Sequence, residues 1–172
     1  MAATAEWFED NGAATGTPAK GATRTAAPGG DWKSVDNTTT TRQNARIIAG
    51  QHSFHKYRFV KFGGTFNQIS NGRFAHTAGA LGVGLTIVGK VTSTYATPAR
   101  SALAGSTNMT AVTPVNSGQP VQFSTTGPEG TAASSLTAAG YSQYLVTQLQ
   151  TQASATAGDI GDQTFTLQWN EN

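Results

Sequence analysis

The chain contains no cysteine. That excludes disulfides, thiolate zinc sites and a cysteine nucleophile, and leaves burial and partners as the sources of stability. Large apolar side chains are scarce too. Leu, Ile, Val and Phe number 29 of 172 residues, whereas Thr, Ala and Gly supply 73, so any core drawn from this composition is thin. A chain so poor in apolar groups stays disordered when its net charge is high, but the formal charge here is only +2. Threonine is β-branched and suits the exposed face of a pleat, which favours a thin, Thr-rich sheet protein. No apolar run approaches the roughly 18 residues of a spanning helix. The opening "MAATAEWFEDNGAATG" carries acids where a secretory leader carries bases. The expectation is a chain made in the cytoplasm and not inserted in a membrane.

Acids are missing from the middle of the chain. Every Asp and Glu lies before residue 37 or after residue 128, while Arg42, Arg46, Lys56, Arg58, Lys61, Arg73, Lys90 and Arg100 lie between. A positive middle with negative ends attracts nucleic acid, an acidic protein surface or the ends of a neighbouring copy.

At this length one domain is expected, with room for an added arm. Residues 1–46 hold only Met1, Trp7, Phe8, Trp32 and Val35 as large apolar groups, and "TGTPAKGATRTAAPGG" reads as linker. Alone, such a stretch cannot offset its ordering entropy. It is expected to be an extended N-terminal arm, anchored through Trp7, Phe8 and Trp32 either on adjacent subunits or folded back on its own domain.

From residue 47 to 172 the texture is that of strands broken by Gly, Asn and Pro. "FHKYRFVKF", "TFNQI", "VGLTIVGKV", a short piece at 109–112, "VQFST", "YSQYLVTQLQTQ" and "TFTLQWNEN" are the expected strands, with turns at residues 70–72 and at "GPEG". In "VGLTIVGKV", Val83, Leu85, Ile87 and Val91 share one face, and Gly89 marks a bulge or a close crossing. Residues 132–139, "AASSLTAA", lack the apolar stripe of a packed helix. The fold class expected is all-β, a β-sandwich of immunoglobulin-like or jelly-roll type, with the last strand paired inside a sheet to "QYLVTQLQT".

Chemistry-bearing motifs are few. His52 and His55 are three apart and point to opposite faces of a strand, and His76 stands elsewhere. Asp159 and Asp162 in "GDIGD" are too few for a calcium loop and read as a turn. There is no "GxSxG" elbow, and "GALGVGLTIVGK" lacks the ending of a phosphate loop. The expectation is a protein that is not an enzyme and holds no metal or cofactor. Tyr57, Phe59 and Phe62 interleave with Lys56, Arg58 and Lys61 as in grooves that hold single strands. The same alternation describes a strand with a packed and a solvated face, so nucleic acid is the weaker expectation.

The segments "SFHKYRFVKFGGTFNQISNGRF", "TYATP" and "GYSQYLVTQLQTQASATAGDIGDQTFTLQWNEN" together resemble tailed-bacteriophage virion proteins of the decoration or auxiliary kind. The resemblance spans roughly residues 50–172. It implies a β-sandwich present in many copies on a virus particle, with a major capsid protein or other virion protein and copies of itself as partners. It carries no catalytic residues. Trp7, Phe8 and Trp32, with Arg42, Arg46, Arg73 and Arg100, are the residues expected at such an interface. The rival expectations are a tail, neck or fibre component, a jelly-roll coat protein and, further off, a secreted carbohydrate-binding module.

Overall fold

A computed structural model describes residues 2–26, 28–109, 118–156, 158 and 160–172. Twelve strands make up the described chain: β1 (Ala3–Thr15), β2 (Lys20–Ala26), β3 (Lys56–Gly64), β4 (Ile69–Ala78), β5 (Leu85–Thr92), β6 (Thr107–Asn108), β7 (Gln119–Val121), β8 (Phe123–Ser124), β9 (Ser135–Leu136), β10 (Gly140–Ser142), β11 (Tyr144–Thr151) and β12 (Thr164–Glu171). The one helical element among the described residues is a 3-10 turn at Arg42–Asn44. The all-β sandwich expected from composition and periodicity is borne out.

Every named strand pair is antiparallel. The larger sheet runs β2-β1-β3-β11-β5-β6, with β10 and β8 attached beside β3; the smaller runs β12-β4-β7, with β9 on β4. "VQFST" is divided between the two. Val121 ends β7 in the smaller sheet and Phe123 opens β8 in the larger, so the chain turns a sandwich corner at Gln122. Gln143, between β10 and β11, donates its backbone N–H to the Gln122 carbonyl at 2.9 Å, which closes that corner.

Between the sheets lies the main core, with Val60, Phe62, Ile87, Leu145 and Leu149 from one side and Ile69, Phe74, Val121 and Leu167 from the other. A second apolar layer covers the opposite face of the larger sheet. It is built from Tyr57, Phe59, Val88, Tyr144 and Val146, capped by Tyr95 and Leu103 from the loop after β5. Strand β11 is therefore buried on both faces from Tyr144 to Leu149.

Several expectations are corrected. Residues 3–26, expected within an extended arm, are instead a hairpin of the larger sheet. Of the two dispositions, the structure has the segment folded back on its own body: β1 pairs with β3 from Ala3↔Gly64 to Asp10↔Tyr57. Ladder hydrogen bonds add to the few apolar anchors the segment has, Trp7 and Phe8. Strand β12 pairs with β4, not with "QYLVTQLQT", and lies at the edge of its sheet. Residues 70–72 are no turn but a bulge inside β4, where Asn71 takes φ 54° and the β12 register shifts between Gln168 and Asn170. "TFNQI" is mostly connection, since β4 begins only at Ile69. Val83 is 79% exposed and precedes β5. The strand expected at 109–112 lies outside the described residues apart from Met109. Gly89 marks a close crossing, as read: the Met109 Sδ occupies the space a Cβ there would take. "GPEG" turns, with the Gly130 N–H on the Gly127 carbonyl at 2.9 Å.

Candidate functional site, an arginine-lined cleft above a buried ion network

Residues 28–49 run as a strap without strand structure. They are held by few but specific bonds. The Phe54 N–H donates to the Lys33 carbonyl at 3.0 Å and the Ser34 N–H to the Ala45 carbonyl at 2.9 Å. Trp32 sets its ring edge-on to Phe165 at 5.6 Å and donates Nε1–H to Thr147 Oγ1 at 3.3 Å, joining the strap to both sheets. Lys33 is buried, its Nζ donating to the Thr40 carbonyl at 2.7 Å. Burial, with Lys56 nearby, pulls its pKa below the ordinary value.

Between this strap, the ends of β5 and β11, and the segment before β12 opens a cleft of about 840 Å³. Its apolar lining comes from Trp32, Ile47, Leu85, Leu149, Ile160 and Phe165. Three arginines face the same space: Arg42 and Arg46 from the strap, and Arg58 from β3.

Arg58 connects the cleft to a buried charge network. Directly across the β1–β3 ladder stands Glu9, fully buried. Its carboxylate accepts from Lys56 Nζ at 2.8 Å, Arg58 Nε at 3.1 Å and Asn11 Nδ2 at 2.9 Å. Asn11 also donates to Asp36 of the strap at 2.9 Å, and the Gly12 N–H reaches the same carboxylate at 2.6 Å. Burial alone would raise the Glu9 pKa, but Arg58 and Lys56 more than offset it and hold the carboxyl below its ordinary value. Arg58 Nη2 is buried with no hydrogen-bond acceptor among the described residues.

The neighbouring residue carries a second network on the other face of the sheet. Asp10 accepts two bonds from Arg24, at 2.7 and 2.8 Å, and one from the Tyr144 hydroxyl at 2.7 Å. Arg24 stands opposite Asp10 in the β1–β2 register, lies over the Phe59 ring at 4.5 Å and reaches Glu129 at 3.5 Å. The hydrogen bond to Asp10 pushes the arginine's pKa upward. Burial, then the bond to Asp10, raises that of Tyr144. Together these pairs rivet the hairpin to the body without a disulfide.

Of the residues expected at an interface, Trp32, Arg42 and Arg46 meet at the cleft. Trp7 packs on the main core and Phe8 stacks on Phe59 at 5.4 Å, so both are partly buried against the chain's own body. Arg100 is spent on the His52 carbonyl and the Gln51 side chain. Arg73 lies on β4 opposite Gln168 and Pro120, away from the cleft lining. His55 bonds the Ser101 carbonyl and His76 the Met109 carbonyl. Among the described residues no group of three or more His, Asp or Glu could hold a metal ion. Asp162 lies on the cleft rim, and Asp159 lies outside the described residues. The reading missed Arg58, Glu9 and Asp10 as a unit. The pairs "ED" at 9–10 and "KYR" at 56–58 were the available signal, and only the strand register joins them.

Fold and cleft together define a β-sandwich that carries, among the described residues, a cleft with three arginines and a partly apolar lining. Comparison of the chain with protein-family models, curated proteins and solved structures finds no match in any of the three.

Proposed function

We propose that the protein is a structural component of a virion, a decoration or cement protein that binds the assembled lattice of a phage capsid and stabilises it by subunit contacts. The observation that carries this reading is the cleft of about 840 Å³, where Arg42, Arg46 and Arg58 stand around an apolar floor. Basic groups around an apolar centre suit docking against an acidic protein surface. The platform beneath is fixed by buried ion pairs, as a protein whose task is to hold neighbours in register requires. In this reading the protein acts by binding, its partners are the major capsid protein or another virion protein, and it resides in the particle.

Quantitative analysis of purified particles is the test. The decoration reading expects many copies per particle, and saturable binding of the isolated protein to expanded empty capsids. Absence from the particle, or no binding to capsids, overturns it. A few copies confined to the tail or neck would assign the protein there instead.

A further inference from the structure

We infer that the cleft is a peptide-binding groove, and that its occupant is an extended segment of the partner carrying a carboxylate beside a large aliphatic side chain. This rests on the decoration reading for the partner's identity, but the chemistry of the site stands without it. The volume, about 840 Å³, falls in the range of built ligand sites. Its floor is aliphatic, from Ile47, Leu85, Leu149 and Ile160.

The charge is arranged for one acid. Arg58 lines the cleft, spends Nε on Glu9, and has its Nη2 buried with no acceptor among the described residues, so the guanidinium keeps unspent donor capacity beside the cavity. A carboxylate in the cleft brings the negative charge that Glu9, shared with Lys56, leaves incomplete. Arg42 and Arg46 are exposed, which suits steering and clamping the incoming group.

Two features favour peptide over nucleic acid. Trp32 has its ring against Phe165 and its Nε1 held by Thr147, so it offers no free platform for base stacking. Asp31 and Asp162 on the rim repel a continuous phosphodiester backbone but tolerate a single acid between apolar residues. The acids of β1 that might serve from within the chain, Glu9 and Asp10, are already buried in their own pairs. Neither is free to enter the cleft, and the proposed occupant is a segment of another molecule.

The probe is a capped peptide of alternating leucine and aspartate, compared with the same peptide carrying asparagine and with oligothymidylate. Binding is followed by the indole resonance of Trp32 in the full chain. The aspartate peptide should shift that resonance saturably. Affinity should fall about tenfold for Arg42→Ala and Arg46→Ala and further for the pair, and the asparagine peptide should bind as weakly as the pair does. Both arginines are exposed, so these variants should melt as the parent does. The inference is overturned if the asparagine peptide binds equally, if oligothymidylate shifts Trp32 more strongly, or if nothing shifts it at roughly millimolar peptide. Capsid binding separates the two proposals. Capsid binding retained by the double variant overturns the groove as the docking site and leaves the decoration reading standing. Peptide binding without capsid binding supports the groove and removes the decoration reading.

Discussion

Glu9 is the residue on which the buried ion network behind the cleft turns. It holds two cations at once, Lys56 and Arg58, whose side chains are 1% and 14% exposed. Replacing a buried ion pair by apolar groups is often neutral, but removing a single partner strands a charge in low dielectric. Glu9→Gln should therefore cost about 3–5 kcal/mol in denaturant unfolding. Glu6→Gln, at an exposed position of the same strand opposite Lys61, should change stability by less than about 0.5 kcal/mol. Equal effects at the two positions would show that the Glu9 network contributes nothing beyond surface charge. The segregation of acids and bases along the chain was legible in the sequence. It pointed outward, to another molecule, because a sequence gives charge order and not register. A shift of one residue would turn Glu9 to the opposite face, away from Lys56 and Arg58.

Hairpin β1–β2 shows where element-level reading ended. Its composition is that of a linker, and nothing in the alternation of "ATAEWFEDNGAAT" outweighs that. Backbone pairing, which leaves no trace in hydropathy, makes it a strand, together with the cross-strand pairs Glu9–Arg58 and Asp10–Arg24. Strand β11 was expected as a strand, but its burial was not legible. Leu145 and Leu149 face the main core, and Tyr144, Val146 and Gln148 are buried too, beneath Tyr95 and Leu103 of a loop whose packing no local pattern encodes. The partner of β12 was misread because proximity along the chain favoured "QYLVTQLQT", whereas the sandwich assigns β11 and β12 to different sheets. The hairpin yields a sharp prediction. A detachable arm could be removed without affecting the rest of the fold. Deletion of residues 1–26 should instead abolish cooperative melting and give soluble aggregates, because it opens the β3 edge and leaves Lys56 and Arg58 without Glu9. A truncated chain that melts sharply at the parent temperature would return the segment to the status of an arm.

Over the whole molecule, the shortage of large apolar groups is met by using both faces of one sheet. The main core lies on one side and an aromatic layer of Tyr57, Phe59, Tyr95 and Tyr144 on the other, with Tyr57 and Tyr95 centroids 4.6 Å apart. The cost of this economy is that polar groups are buried on both faces of the sheet, and it ties stability to pH. Burial holds the His55 pKa below its ordinary 6.5, with Lys90 adding to the effect and the Ser101 carbonyl and Asp36 opposing it. Glu9 is likewise held below its ordinary 4.5. In both cases the unfolded chain takes up its proton at higher pH than the folded one, so stability falls as pH falls. The His55 contribution is whole above pH 6.5 and declines below it, towards the folded value. That of Glu9 is whole above pH 4.5 and is lost as pH drops through its own folded value. Denaturant midpoints measured from pH 8 to pH 3 should thus be flat at first and then decline in two separate stages. His55→Asn should remove the upper stage and leave the lower. Glu9→Gln should lower the curve above that stage and flatten its acid limb, so that it converges with the parent at the acid end. A profile that rises on acidification, or one whose two stages both survive these substitutions, would mean that neither group governs the response.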